Sequence, residues 1–334
     1  MLAGDASLRL LLNWDGQRIV AARIAAARPL AARILLGQAA EQAVALVPRL
    51  FSLCGQAQGV AAQLALLAAR GESAESEVLD QAVRRVALEA LGEHLWRLLL
   101  DWPPLLGQEA RKDEFLSWRK RLIRVKDASS ATQLGVDLIQ WLDRETPLSV
   151  HLDLSATSMQ GALLPWLTAE EWTRQPIDEI FAHQPHFAGQ PAETGALARQ
   201  FENAEVAALH RAGCGIAARL AARYADLRDL ANGLIEPSLL AGWVDAAPVG
   251  EGCGLACVET SRGVLLHLIQ VKAATVQRYV IVAPTEWNFH PDGPVVREIT
   301  GSPATSRAQV ETRARCLALA LDPCVACEVD IHAL

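Results

Sequence analysis

Apolar residues recur every three or four positions over most of residues 30–245, which is the spacing of amphipathic helices. These stretches are rich in Ala, Leu and Arg, and Gly or Pro separates several of them. A Trp-Pro-Pro sequence at 102–104 is expected to end one long helix, and Thr168 with Glu171 forms a predicted capping box. The predicted helices cover 38–47, 52–70, 77–100, 108–125, 130–143, 196–212, 215–231 and 306–320.

Two regions carry a strand pattern instead. Leu8–Asn13 and Arg18–Ala25 flank an Asp-Gly turn pair at 15–16, which predicts a β-hairpin. Gly263–Val271 and Val276–Ala283 are rich in β-branched residues and are predicted to pair as strands. The predicted fold is therefore α+β and predominantly α-helical. It is a single domain, 1–334, with a hairpin at 7–25, a helical body at 30–245 and a C-terminal segment with β-strands at 250–334.

Composition narrows the classes of function. The 334 residues are 51% hydrophobic and 21% charged, enough to bury a large core. A net charge of -7 and the lack of a long basic stripe argue against nucleic acid as a partner. No run of about 18 uncharged apolar residues and no basic leader are present, so we expect no membrane segment and a cytoplasmic location. Seven cysteines suit a reducing compartment, where thiols serve as ligands or core residues.

The sharpest chemical feature is the sequence DPCVAC at Asp322–Cys327. Two cysteines separated by two residues can direct both sulfurs at one metal ion. The same spacing also occurs in redox and structural sites, so the pair alone leaves these alternatives open. The sequence has no second pair with this spacing, which disfavours a four-cysteine zinc site.

Three motifs together resemble a known family. Asp322–Cys327 resembles the DPCxxC signature of the large subunits of nickel-iron hydrogenases. Glu259–Gly263, followed by His267, is similar to the EAPRG…H segment of that family, and Val282–Asn288 is similar to its VP(S/T)TWN segment. The motifs occur in family order, and the hairpin resembles the opening hairpin of the family. The resemblance implies the large-subunit fold and is strongest over 250–334.

The family has an earlier cysteine pair, RICGVCxxxH, which corresponds here to RLFSLCGQAQ at 49–58. In this alignment Phe51 replaces the first cysteine, Cys54 retains the second, and Gln58 stands in the place of the histidine. An alternative alignment pairs Cys54 with the first cysteine and makes Ala57 the lost one. We favour the first, which preserves more of the motif. Under either alignment one of the four cysteines is absent.

The resemblance also implies a set of metal ligands. In the family, the first cysteine of each pair binds nickel, and the second bridges nickel and iron. Carried over by position, Cys54 and Cys327 match the iron-binding thiolates, and Cys324 matches a terminal nickel ligand. A site with three of the four thiolates is suited to iron, and we expect no stable nickel.

The family's iron carries two cyanides and one carbon monoxide, as an Fe(CN)2(CO) unit. Anionic cyanide in a buried pocket needs hydrogen-bond donors to offset its loss of hydration. The resemblance implies that Arg262 and Thr285 supply them. Pro284, Asp322 and Gln58 belong to the matched motifs and complete the expected cofactor-binding set.

Other departures from the family point to an accessory role. Asp330 stands where family precursors have His or Arg before a cleaved tail, and the REGHL segment of the family has no match near the N-terminus. These losses resemble the hydrogenase-like maturation proteins of the HupK/HoxV type, whose long helix is also similar to Leu91–Pro103.

That resemblance implies a non-enzymatic scaffold. It would receive the iron unit from upstream iron-cofactor assembly proteins, a small maturation chaperone and its iron-scaffold partner. It would then deliver the unit to the apo large subunit of a nickel-iron hydrogenase. Two alternatives stay open: a minimal nickel-iron hydrogenase, and a metal-free chaperone that imitates the large subunit.

The remaining candidate residues have structural interpretations. Cys253 and Cys257 precede a predicted strand and are expected to be packed or partly exposed free thiols. His94 is expected to be a satisfied residue on a helix face. Glu259 is either an ion-pair partner of Arg262 or a local strand residue, and the sequence does not separate the two.

Overall fold

The computed structural model describes residues 7–27, 31–148 and 161–334. Residue 30 and residues 149–160 of the predicted helical body lie outside the described residues. The α-helices are α1 (Ala40–Leu50), α2 (Gly55–Ala69), α3 (Ser76–Trp96), α4 (Trp102–Leu105), α5 (Lys112–Arg124), α6 (Ala128–Leu142), α7 (Ala169–Trp172), α8 (Glu179–His183), α9 (Ala196–Arg199), α10 (Ala204–Arg211), α11 (Gly215–Ile235), α12 (Pro284–Asn288), α13 (Pro294–Ile299) and α14 (Arg307–Leu321). The strands are β1 (Ser7–Trp14), β2 (Ile19–Ala27), β3 (Ala162–Leu163), β4 (Ala192–Glu193), β5 (Val244–Gly250), β6 (Cys253–Thr260), β7 (Gly263–Lys272), β8 (Thr275–Val282) and β9 (Ala326–Ala333).

The N-terminal hairpin is confirmed, and it forms a three-stranded sheet with the last strand. β1 pairs antiparallel with β2 and parallel with β9. Leu8, Leu10 and Leu12 alternate along β1 and are fully buried, because period-two positions share one face of a strand. That face packs on α13 and α14 in a separate hydrophobic core. The sequence analysis did not predict β9, in which polar side chains alternate with apolar ones.

A four-stranded antiparallel meander, β5-β6-β7-β8, carries Glu259–Gly263 and His267, and its last strand leads into Val282–Asn288. The predicted pair β7 and β8 is confirmed, whereas β5 and β6 were not predicted. Cys253 and Cys257 lie within β6, not before the strand, and Cys257 is buried. β6 and most of β7 are buried on both faces, with α2 on one side and α7, α8 and α12 on the other.

α2 packs unusually close to the meander. A Cβ atom added to Gly254 of β6 would lie 2.2 Å from the backbone nitrogen of Ala69 and 2.3 Å from the carbonyl oxygen of Ala65. The alanine-rich sequence of α2 permits this approach, because small side chains let backbones come together. The contact fixes the C-terminal turns of α2 against β6.

The helical body follows the predicted pattern, with two exceptions. The helix predicted at 196–212 is divided into two short helices, α9 and α10. In addition, the long helix does not end before the Trp-Pro-Pro sequence. α3 continues through a π-helical segment, Arg97–Asp101, into α4. The wider hydrogen bonding of a π-turn accommodates prolines in the first turn of the helix that follows. The capping box of Thr168 and Glu171 is confirmed. No single helix of the described residues could span a membrane, although the bent pair Ala40–Leu50 and Ser52–Ala69 passes by length and composition.

The α+β, predominantly α-helical fold predicted from the sequence is confirmed. Its topology brings the ends of the chain together. α14 ends at Leu321, and Asp322 follows in the left-handed conformation with φ 52°. This turn directs the chain from α14 toward β9, past the first turns of α2 and α12.

Candidate functional site

A cavity of about 510 Å³ lies where four elements meet: the start of α2, the β6–β7 turn, the start of α12 and the turn between α14 and β9. Six of the eight predicted site residues line it. They are Cys54, Gln58, Arg262, Pro284, Thr285 and Cys324.

Two cysteines from distant parts of the sequence share this cavity. Cys54 directly precedes α2, and Cys324 lies in the turn after α14. Burial raises the pKa of Cys54 to about 12; the nearby Cys324 adds to the shift, and the charge of Arg262 opposes it. A thiol with so high a pKa is protonated at neutral pH, so binding a metal would release its proton.

The hydroxyl group of Thr285 contacts the second cysteine. Its Oγ1 lies 3.2 Å from the Cys324 sulfur and accepts a hydrogen bond of 3.3 Å from the Cys324 backbone N–H. Pro284 occupies the first turn of α12, where the missing N–H of proline costs no hydrogen bond. This arrangement ties the DPCVAC turn to the segment that resembles VP(S/T)TWN.

Cys327 is not part of this wall. It pairs with Leu8 in the β1–β9 register, and its side chain packs against the core beneath the N-terminal sheet. Its sulfur lies 4.0 Å from the carbonyl oxygen of Glu328, and burial raises its pKa to about 11. Within the described ranges, no three His, Cys, Asp or Glu side chains are grouped so as to hold a metal ion. Cys54 and Cys324 therefore line the same cavity, whereas Cys327 lies outside its wall.

Arg262 is the buried cation of the site. It lies in the tight β6–β7 turn with its side chain 3% exposed, and its Nη2 donates to Glu93 of α3 at 2.6 Å. Its Nε is 3.4 Å from Asp322 but has no hydrogen-bond partner among the residues described. Burial would lower the pKa of Arg262, but Asp322, Glu93 and Cys54 outweigh it and raise the pKa above its ordinary value.

Asp322, also predicted as a cofactor-binding residue, does not belong to the cavity wall that the described residues form. It is 2% exposed and accepts hydrogen bonds from Arg97 Nε at 2.7 Å and Arg223 Nη1 at 3.1 Å. Burial would raise its pKa, but Arg262, Arg223 and Arg97 hold it well below its usual range. Asp322 is therefore a buried anion behind the cavity. It joins the π-helical segment, α11 and the β6–β7 turn through Arg97, Arg223 and Arg262.

Sequence reasoning missed the acidic residues of α3. Glu93 binds Arg262, and Glu89 accepts hydrogen bonds from the backbone N–H groups of Gln56 at 2.8 Å and Ala57 at 2.9 Å. Glu89 thereby caps the start of α2 next to Cys54. The four-residue spacing of the two glutamates, which places them on one helix face, was the available signal.

Glu259 and His94 both belong to buried networks of polar side chains. Glu259 does not pair with Arg262; it binds Arg199, which also forms a bidentate pair with Asp226. Glu259 lies on β6, whereas Arg262 lies in the turn that follows, where Glu93 and Asp322 are its acidic neighbours. His94 is fully buried, with Nε2 2.7 Å from Asp226, which confirms a satisfied histidine.

The chemistry of the wall fits a small metal unit with anionic ligands. Two thiols can bind a soft or borderline metal, and the Arg262 Nε is a buried donor without a hydrogen-bond partner among the described residues. Phe51 and Leu265 contribute apolar surface, which suits a ligand that accepts almost no hydrogen bond. The residues present thus match the predicted Fe(CN)2(CO) unit in kind.

Comparison with solved structures gives the class of fold. A [NiFeSe] hydrogenase variant from Desulfovibrio vulgaris Hildenborough superposes with a TM-score of 0.67 at 15% identity, over 96% of this chain and 99% of that one. The hydrogenase of Desulfomicrobium baculatum gives 0.68 at 14% identity, over 94% and 95%. A family model described as nickel-dependent hydrogenase matches residues 217–330. The chain thus has the fold of the large subunit of nickel-iron hydrogenases.

Relatives of known name define the family more narrowly. The hydrogenase expression/formation protein HupK of Azotobacter vinelandii is 33% identical over 99% of both chains. HoxV of Cupriavidus necator, with the same description, is 30% identical over 92% of both. The chain belongs to the HupK/HoxV family of hydrogenase expression/formation proteins.

Proposed function

We propose that this protein is a hydrogenase maturation scaffold that carries an Fe(CN)2(CO) unit as cargo in the cysteine cavity. Membership of the HupK/HoxV family supports a role in hydrogenase formation. The observation that carries the proposal is the meeting of Cys54 and Cys324 beside the buried guanidinium of Arg262. Thiolates bind iron, and a buried cationic donor compensates the negative charge of cyanide.

In this proposal Cys54 is the fixed iron ligand, because Glu89 caps the first turn of α2 and Gln58 of that turn contacts His267 of β7. The second thiolate comes from the C-terminal pair. Cys324 already lines the cavity, whereas Cys327, which the family resemblance assigns to iron, would have to leave its contacts with the N-terminal sheet core. A site that must release its cargo benefits from a ligand on a short turn, since the turn can move without unfolding a helix.

The protein in this proposal is a carrier and not a catalyst. Phe51, which stands where the alignment places a family cysteine, lines the cavity with an apolar ring. A nickel ion in the family's manner needs four thiolates, and this chain offers three in the matching motifs. The proposed partners are the upstream iron-cofactor assembly proteins that supply the unit and the apo large subunit that receives it.

Infrared spectroscopy with metal analysis tests the proposal. The full chain is produced anaerobically together with its maturation partners, and Cys54→Ser, Cys324→Ser and Cys327→Ser are compared with Cys253→Ser. Cys253 is partly exposed on β6 and does not line the cavity, so its variant is a matched control.

We expect cyanide and carbonyl bands with iron and without stoichiometric nickel in the native protein and in the Cys253→Ser control. Cys54→Ser should lose both the bands and the iron. Stable nickel at one per iron together with dihydrogen uptake would establish a hydrogenase instead. Normal maturation of the target enzyme by both Cys54→Ser and Cys327→Ser would show that the chaperone works without metal.

A further inference from the structure

A run of hydrogen bonds leads from β8 through β7 and α2 to the sulfur of Cys54. The Tyr279 hydroxyl lies 3.0 Å from Nδ1 of His267, and Nε2 of His267 lies 2.9 Å from Oε1 of Gln58. Nε2 of Gln58 lies 3.6 Å from the Cys54 sulfur. Tyr279, His267 and Gln58 are at most 4% exposed, so water does not compete for these contacts.

The number of N–H and O–H donors in each group determines which group donates and which accepts in each of these hydrogen bonds. Burial lowers the pKa of His267 to about 3, so its ring is neutral and has one N–H group. The amide oxygen of Gln58 needs a donor, which places the ring proton on Nε2. Nδ1 is then the acceptor for the Tyr279 hydroxyl. Each group is satisfied, and the amide N–H of Gln58 points at the sulfur.

The reversed order is the competing arrangement. In it the Gln58 amide is turned over, the His267 proton lies on Nδ1, and the amide oxygen faces the sulfur of Cys54. Once the Cys54 thiol has lost its proton to a metal, its sulfur can only accept hydrogen bonds, so this order would bring two acceptors into contact in the loaded protein. An N–H group at this place stabilises the sulfur in the form that binds metal.

We propose that Tyr279 and His267 hold the Gln58 amide in one orientation, with its N–H group donating to the Cys54 sulfur. Gln58 is then a positioning residue that tunes this sulfur without binding iron itself. The inference rests on the proposed function in one respect, namely that the Cys54 sulfur is an iron ligand. A hydrogen bond to that sulfur withdraws electron density from it, so less reaches the iron and its carbonyl ligand.

The first test needs no iron. Nitrogen-15 NMR of the full chain labelled in histidine reports which ring nitrogen is protonated, and Tyr279→Phe identifies the His267 signals by the change at Nδ1. We expect the Nε2–H form throughout pH 6–8. The Nδ1–H form in the native protein would overturn the proposal, because the amide oxygen would then face the sulfur.

The second test uses the loaded protein and replaces the donor. Gln58→Met keeps a similar shape without an N–H group, and Gln56→Met on the exposed side of the same helix is the control. We expect Gln58→Met to shift the carbonyl band to lower wavenumber and Gln56→Met to leave it in place. An unshifted band in loaded Gln58→Met would overturn the positioning role and leave the carrier function standing. If the native protein holds no iron, the carrier function fails, and the NMR result alone decides the orientation of the amide.

Discussion

Replacing Asp322 with Asn removes the negative charge from the centre of the buried network behind the cavity. The native carboxylate accepts hydrogen bonds from Arg97 and Arg223 and lies 3.4 Å from Nε of Arg262. Arg97 also pairs with Asp101, and Arg262 also pairs with Glu93. Arg223, which is 3% exposed, forms no ion pair with any other carboxylate of the described residues.

The expected change in the free energy of unfolding follows from the loss of the carboxylate partner of Arg223. Removing one partner of a buried ion pair costs about 3–5 kcal/mol, because the other charge stays buried without compensation. The asparagine oxygen can still accept one hydrogen bond, so we expect Asp322→Asn to lower the free energy of unfolding by about 3 kcal/mol. Asp330→Asn is the control: its pair with Arg9 is half exposed and is worth about 0–1 kcal/mol.

Urea unfolding followed by far-ultraviolet circular dichroism at pH 7 measures both variants. If Asp322→Asn is no less stable than Asp330→Asn, Asp322 does not hold the network together.

The pH dependence gives a second measurement of the same contact. The folded pKa of Asp322 is depressed below the ordinary value of 3.8, so its stabilising contribution is complete above that value. The contribution is lost as the pH falls toward the folded pKa. We therefore expect native stability to decline below about pH 4, and the decline to be shallower in Asp322→Asn. Parallel pH profiles for the two proteins would contradict this assignment.

Three other outcomes follow from the fold. Gly254→Ala should lower the free energy of unfolding by about 3 kcal/mol, because the added Cβ would meet the backbone of α2. Gly250→Ala has open space around the added Cβ and should be neutral in the same urea titration. Equal stabilities of the two variants would refute the close contact. Thr168→Ala should cost about 1 kcal/mol through the lost helix cap, measured in the same way. Cys257 should resist iodoacetamide in the native protein, because burial raises its pKa well above 9.0, and should react more slowly than Cys253 by peptide mass spectrometry; similar rates would contradict its burial.

Local patterns predicted much of this fold. The hairpin, the long helices and β7 with β8 follow from spacing and turn residues that act within a few positions of each other. β9 carries the alternation of polar and apolar residues that is typical of a strand, and this signal was overlooked. Its parallel pairing with β1, at the far end of the chain, has no local sequence signal. β6 was missed since burial on both faces erases the alternation that marks a strand.

Six of the eight residues expected at the site line one cavity, but the motifs did not predict that Cys327 and Asp322 lie outside its wall. Motif order was enough to bring Cys54, Arg262 and Thr285 together. The register of β9 decides that Cys327 faces a hydrophobic core, and no local pattern encodes that register. Likewise, Asp322 was expected to face the cofactor, yet the three arginines that surround it come from distant segments of the chain.

Transfer of labelled cargo tests the carrier function most directly. The protein is loaded with an iron unit that carries carbon-13 cyanide, freed of its donors, and mixed with unlabelled apo large subunit. The shifted cyanide bands should then leave this chain and appear in the large subunit, and protein with Cys54→Ser should transfer none. Retention of the label on this chain while the large subunit matures, or transfer that is unaffected by Cys54→Ser, would contradict the account.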